Sequence, residues 1–269
     1  MDHAGATLAS QTQLREVFDY LSKNPLANPH SKGALGERSA VEVSSCRELI
    51  LSHFGASPEE YAVVFTAGST ASMKLVADCF PWTDNSVYCY PYNSHTSLLG
   101  LREYAPTVYY IPRDQLEKVQ FPDPADLGPI APKSHEPDDF PLSSPPVCYS
   151  LLALPGECNF SGSKLPPPAI ERVLRTVTQH PEGLEAIGAR IVKSCSPSPS
   201  SQPSPPRSWM WLLDASKLAA SSPIHITTDY SPSTRPHFVC VSFYKMFGYP
   251  TGIGALLVKK SVAHLLHKR

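Results

Sequence analysis

Residues 209–214 (Trp-Met-Trp-Leu-Leu-Asp), 238–242 and 253–258 are apolar at nearly every position. They lack the in-out alternation of a strand that faces water on one side. Strands that read this way are covered on both faces, which requires helices above and below the sheet. Similar compact runs stand at residues 62–66, 86–90, 107–111 and 147–154. Helical stripes lie between them: one over residues 13–21, one over about 39–54 closed by Gly55, and one carrying Met73, Val76, Ala77 and Phe80. Further helical material is predicted over about 96–104, and at Ile170, Val173, Leu174 and Val177 behind a run of prolines. Strands alternating with helices predict an α/β chain with a mostly parallel sheet and helices on both faces.

Composition limits the rest. A chain of 269 residues with 42% hydrophobic content and a net charge of -1 buries a substantial core. It presents no basic surplus for nucleic acid or an anionic membrane surface. No stretch is long and apolar enough for a membrane span, and the amino end lacks the pattern of a secretory signal, so a cytoplasmic location is expected. Seven scattered cysteines without a C-x-x-C pair predict neither a disulfide framework nor a metal site, and most are expected as small core residues. Proline, at 29 residues, is about twice its usual share. Much of it falls in residues 122–146 and 194–207, which read as disordered insertions within one domain.

The chemistry-bearing residues follow the strands. Lys245 comes directly after the run ending at Ser242 and precedes a glycine-rich loop, which suits a Schiff-base amine. Such an amine is most useful with pyridoxal phosphate, whose other groups need their own partners. Thr66-Ala-Gly-Ser-Thr70 lies between a strand and a helix, where amides and hydroxyls can hold a phosphate; the same residues also make an ordinary helix cap. Asp214 closes an apolar run and would pair with a pyridinium, or else cap the next turn. His95 could stack on the ring or be merely exposed, and Asn159 could bond the phenolic oxygen or only shape a turn. Each signal alone is weak. Their order is not: five candidate groups each follow a strand, and parallel sheets bind ligands at the carboxyl ends of their strands.

Several segments carry a resemblance to a known family: Asp2-His-Ala-Gly-Ala-Thr7, Asn28-Pro-His-Ser31, Phe65-Thr-Ala-Gly-Ser-Thr-Ala71, Ser94-His-Thr-Ser97, Asn159-Phe-Ser-Gly162, Leu213-Asp-Ala215 and above all Ser242-Phe-Tyr-Lys-Met-Phe-Gly-Tyr-Pro-Thr-Gly-Ile-Gly254. The chain resembles the class V aminotransferase superfamily, with its type I pyridoxal-phosphate-dependent transferase fold, and within it the molybdenum cofactor sulfurase family. The resemblance implies that residues 1–269 form a large domain, incomplete at its carboxyl end. It implies that Lys245 anchors pyridoxal 5'-phosphate, that Asp214 pairs with the ring nitrogen, that His95 stacks on the ring, and that Asn159 contacts the phenolic oxygen. Gly68, Ser69, Thr70 and Ser242 would hold the phosphate, and Tyr244 stands where many cysteine desulfurases carry histidine. Asn28 and His30 are candidates for substrate contact, and no metal ligand is expected.

The implied activity is transfer of sulfur from L-cysteine, through an enzyme persulfide, towards the molybdenum cofactor, by a homodimer. A small domain beyond Arg269 would bring the substrate-carboxylate arginine and the persulfide cysteine. The resemblance also admits a class V cysteine desulfurase or aminotransferase of other purpose, or a truncated product that binds cofactor without turnover. Lys217 stands where many relatives carry glutamine, three residues after the ring aspartate.

Overall fold

A computed structural model describes residues 5–120, 147–179, 183–195 and 206–267. Two helices open the chain, α1 (Gln11–Lys23) and α2 (Ala34–His53). There follow β1 (Tyr61–Thr66), α3 (Ser69–Cys79), β2 (Val87–Pro91), the one-turn α4 (Thr96–Leu99), β3 (Thr107–Ile111), α5 (Arg113–Gln120) and β4 (Cys148–Pro155). The second half holds α6 (Pro167–Gln179), α7 (Gly183–Ala186), β5 (Arg190–Ser194), β6 (Arg207–Asp214), α8 (Leu218–Ser221), α9 (Ile226–Asp229), β7 (Phe238–Ser242), α10 (Phe243–Phe247), β8 (Gly254–Lys259) and α11 (Lys260–Ala263).

The strands form one sheet in the order β1-β8-β7-β6-β4-β2-β3-β5. The pairs from β7 through β6, β4 and β2 to β3 are parallel. β8 runs antiparallel between β1 and β7, and β5 runs antiparallel on the outer side of β3. β1 therefore shares the direction of the parallel strands, and all six point their carboxyl ends to one edge.

The apolar runs have the expected cause. Along β6, Trp211 and Leu213 enter one core cluster, whereas Met210 and Leu212 enter the other. β7 divides likewise, Val239 and Val241 against Phe238 and Cys240. One cluster is closed by Leu51 and Phe54 with Ile170, Val173 and Leu174 of α6. Its counterpart across the sheet is closed by Met73 and Val76 of α3 with Leu98 and Val262. A strand packed by helices on both sides has no polar face, so alternation disappears.

α1, α2 and α6 start earlier than their apolar stripes, whereas the helix expected over 96–104 is α4 followed by a 3-10 turn over Gly100–Glu103. Ser10 caps α1 by accepting from Gln13 N at 3.0 Å. Gly55 takes a positive φ of 51° directly after the end of α2, the conformation that stops a helix without a Cβ clash. The elements with no sequence expectation are α5, the edge strand β5 and the short helices α7, α8, α9, α10 and α11. Residues 122–146 lie outside the described residues, as do residues 196–205 of the second expected insertion. At its margins Ser194 ends β5 and Arg207 begins β6. Four of the seven cysteines (Cys89, Cys148, Cys158 and Cys240) are buried and none forms a disulfide. Among the described residues no helix is long and apolar enough to cross a membrane.

Candidate cofactor site at the carboxyl edge of the sheet

The end of β7 sets the site. Ser242 is extended, and the chain then turns at once into the five-residue α10. This turn lifts Lys245 above the sheet edge and leaves the residue only 7% exposed. Lys245 Nζ donates to Asn159 Oδ1 at 2.7 Å, joining the loops after β7 and β4. The backbone of α10 is tied from outside. Thr7 N donates to Tyr244 O at 3.2 Å, and Thr7 Oγ1 donates to Lys245 O at 2.6 Å. Gly248 has φ 80°, and a Cβ there would meet Thr7 O at 2.4 Å. Glycine at this position lets the amino-terminal segment lie directly against the lysine turn.

The loop from β1 into α3 forms the second wall. Gly68 has φ 133° and packs so closely on Gly254 that a Cβ on the latter would lie 2.7 Å from Gly68 Cα. Ser242 Oγ accepts from Ser69 N at 2.9 Å and donates to Ser69 Oγ at 2.8 Å. Thr70 Oγ1 is 2.7 Å from Ser97 Oγ, which brings the amino ends of α3 and α4 together. Hydroxyls and amides at an eleven-residue helix start make a fitting place for a phosphate.

His95 is the N-cap of α4, and its Nδ1 accepts from Ser97 N at 3.1 Å. Because Nδ1 accepts, the neutral ring carries its proton on Nε2. Asp214 ends β6 in a buried position, and its Oδ1 accepts from Ser216 N at 3.1 Å and Ser216 Oγ at 2.7 Å. These bonds fix the carboxylate. Beneath it, burial and then the Asp214 charge push the Cys240 thiol well up, so that group stays protonated. Burial also pushes Cys158, beside Asn159, upward, but hydrogen bonds from Ser161 and the amide of Phe160, with the charge of Arg113, outweigh it and leave the thiol below its usual range.

The expected residues converge. Ser69, Thr70, His95, Asn159, Asp214, Tyr244 and Lys245 line a single cleft that opens to solvent. Gly68 and Ser242 stand behind this lining and shape the α3 turn. Asn28 and His30 are not brought to the cleft: both are exposed in a turn where Asn28 Oδ1 accepts from His30 N at 2.9 Å. The lining also includes Glu157 and Ser216, which sequence reasoning missed, and Lys217. Asp-x-Ser is a side-chain turn signal that could have found Ser216. Glu157, two residues after the end of β4, has no such signature. Among the described residues, no group of three or more His, Cys, Asp or Glu side chains is placed to hold a metal.

No protein-family model matches the chain. Curated proteins do. Molybdenum cofactor sulfurase of Solanum lycopersicum is 35% identical over 278 residues, covering 100% of this chain and 31% of the relative. The Homo sapiens protein of the same name is 36% identical over 276 residues, covering 100% of this chain and 27% of its own length. The chain is a homologue of the molybdenum cofactor sulfurases. It spans about a third of their length or less.

Solved structures agree on the fold. A cysteine desulfurase of Escherichia coli matches with a TM-score of 0.59 at 15% identity, over 99% of this chain and 55% of that one. A NifS-like protein of Rickettsia africae matches with a TM-score of 0.59 at 17% identity, over 96% of this chain and 57% of the other. The C-DES protein, in a form with glycine covalently linked to its pyridoxal-phosphate cofactor, matches with a TM-score of 0.64 at 14% identity, over 99% and 58%. The chain therefore has the type I pyridoxal-phosphate-dependent transferase fold, with a mostly parallel sheet and helices on both faces.

Proposed function

We propose that the cleft binds pyridoxal 5'-phosphate through Lys245 and serves sulfur transfer from L-cysteine towards the molybdenum cofactor. One observation carries this reading: a buried lysine, a fixed carboxylate, a hydroxyl-lined helix start, an asparagine and a histidine meet in one cleft from five strand ends. Independent turns and caps do not produce that convergence. The fit is chemical as well as spatial. A buried carboxylate such as Asp214 calls for a cationic partner, and a pyridinium nitrogen is one. Ser69 and Thr70 suit a phosphate dianion. The names of the sequence relatives, and the cofactor named with one structural neighbour, support the same reading.

When bound, pyridoxal phosphate supplies an aldehyde that captures amines and a ring that spreads charge from the neighbouring carbon. The chain's residues do the remaining work. Lys245 Nζ attaches the cofactor and, released from it, holds and moves a proton at the cleft centre. Asn159 positions that nitrogen, and Asp214, held by two hydrogen bonds from Ser216, would pair with the ring nitrogen. His95 offers a flat ring whose orientation is set by Ser97. We further infer that the chain acts as the large domain of a homodimeric, cytoplasmic protein, and that Asn28 and His30 approach substrate only if their turn moves.

The test is direct. The purified chain is titrated with pyridoxal phosphate, reduced with borohydride and digested. A visible band and a label on Lys245 support the proposal, whereas no band, or a label elsewhere, sinks it. Incubation with L-cysteine then asks for alanine and enzyme-bound sulfur. A second reading, cofactor binding without turnover by this chain alone, is favoured by the cleft lining, which includes no arginine to grip a substrate carboxylate among the described residues. A Lys245 label without alanine release would favour it.

A further inference from the structure

One residue holds the His95 ring. Nδ1 accepts from Ser97 N at 3.1 Å and lies 3.0 Å from Ser97 Oγ. An accepting imidazole nitrogen has one lone pair, so the amide and the hydroxyl share it and the hydroxyl is a donor. Ser97 Oγ also lies 2.7 Å from Thr70 Oγ1. A serine hydroxyl has a single proton, here directed to His95, so Thr70 is the donor in that contact. The protons therefore run from Thr70 to Ser97 to His95. Thr70 and His95 line the cleft, and Ser97 stands behind them. The rest of the loop adds no side-chain hold: Asn93 Oδ1 and Ser94 Oγ are buried with no hydrogen-bond partner among the described residues.

We propose that Ser97 is a positioning residue that ties the His95 ring to the anion held at the start of α3. This inference rests on the cofactor reading above, in which Ser69 and Thr70 hold a phosphate. A dianion offers acceptors only, and its bonds are charge-assisted, so it draws the Thr70 proton into the cleft. Thr70 Oγ1 then has no proton for Ser97 and accepts from it instead. The Ser97 hydroxyl turns from His95 to Thr70, which takes only a rotation about its Cβ–Oγ bond. The Ser97 amide is fixed in the backbone of α4 and stays on Nδ1. Two donors thus clamp the ring before an anion arrives, and one holds it afterwards. A ring on one bond can tilt to meet the flat ligand that the phosphate brings with it. The two cleft residues are coupled through a third that touches neither the phosphate nor the ligand ring.

Nitrogen-15 NMR of the uniformly labelled, purified chain tests this at about pH 8.5, above the usual histidine range, with sulfate as the probe. His95→Gln assigns the ring signals. In the parent, sulfate is expected to shift the Ser69 and Thr70 amides and to move His95 Nδ1 towards the resonance of a nitrogen with one donor. Ser97→Ala keeps the amide and loses the hydroxyl, so Nδ1 should stand at that position from the start and not move with sulfate. Thr70→Val should leave Nδ1 at the parent's sulfate-free position throughout, and it serves if the alanine variant does not fold. Ser97→Thr keeps the hydroxyl and should restore the response. A sulfate-induced movement of Nδ1 in Ser97→Ala as large as in the parent would overturn the inference, because the sulfate charge alone would then explain it. So would amide shifts in the parent without any movement of His95. If sulfate shifts neither the Ser69 nor the Thr70 amide, the phosphate site fails and this inference falls with it. The label on Lys245 remains the separate test of the cofactor reading.

Discussion

Two lysines line the same cleft and are held in opposite ways. Lys245 sits on a helical turn strapped by Thr7 and donates to an amide oxygen, which accepts from an ammonium and an amine alike. Lys217 follows β6 in a turn and faces the carboxylate of Glu157 in an ion pair at 3.9 Å. The first arrangement suits a nitrogen that must lose its proton to attack a carbonyl. The second holds its nitrogen in the cleft wall by an ion pair. The difference shows that burial near the sheet edge does not by itself make a lysine a nucleophile. What its partner does to its proton matters as much.

The largest effect should come from removing each lysine in turn. Lys245→Ala is expected to abolish borohydride-stable attachment of pyridoxal phosphate, whereas Lys217→Ala should retain it with weaker binding. Peptide mapping after reduction reads both outcomes. A label that moved to Lys217 in the first variant would erase the distinction between the two lysines.

Giving Lys245 the partner that Lys217 has would test the reason for the difference. Asn159→Asp places a carboxylate where the amide oxygen now lies, and an opposite charge at that range stabilises the ammonium. Capture of the aldehyde near neutral pH is expected to slow roughly 10- to 100-fold. The deficit should shrink as pH rises. Stopped-flow absorbance across pH 7 to 10 measures it, and an unchanged rate would mean that the amide's neutrality is not what prepares Lys245.

The backbone strap is a smaller lever. Gly248→Ala forces a side chain into φ 80° and against Thr7 O, so the amino-terminal segment must shift. The expected cost is about 2 kcal/mol in urea unfolding. The Glu157–Lys217 pair, on other elements, should be unaffected.

The sequence reading went furthest where one physical cause dominates. Double-sided burial removes alternation, so the strands with apolar runs were legible, as was the convergence of His95, Asn159, Asp214 and Lys245 that follows from parallel strand ends. Strand direction was not legible in every case. β8 has the same apolar run as β7 yet runs antiparallel, because a short glycine-rich loop returns the chain beside its neighbour. β5 escaped notice because Ile191 and Val192 are exposed at a sheet edge and their strand reads as surface. The exposed apolar residues of α1, such as Phe18 at 71%, show the same limit. Its stripe predicts a helix but not what the helix packs against. The Glu157–Lys217 pair was invisible for a further reason: its members lie in loops distant in sequence, and only the β4–β6 pairing brings those loops together.

A third lysine, away from the cleft, gives the smallest effect and the clearest sign. His237 Nδ1 accepts from Trp211 N at 3.1 Å, and burial, aided by the charge of Lys259, pushes its imidazole down to about 3. In the unfolded chain the ring titrates near about 6.5. Between those values the unfolded state binds the extra proton, so the contribution of His237 is intact above about pH 6.5 and is lost as pH falls. The loss is about 1 kcal/mol at pH 5.8 and about 2 kcal/mol at pH 5. His237→Gln can keep an acceptor for Trp211 N without a titrating group. Urea unfolding of parent and variant from pH 5 to 8 should show the parent losing stability faster on acidification. Parallel curves would mean that burial and the charge of Lys259 do not hold this ring neutral.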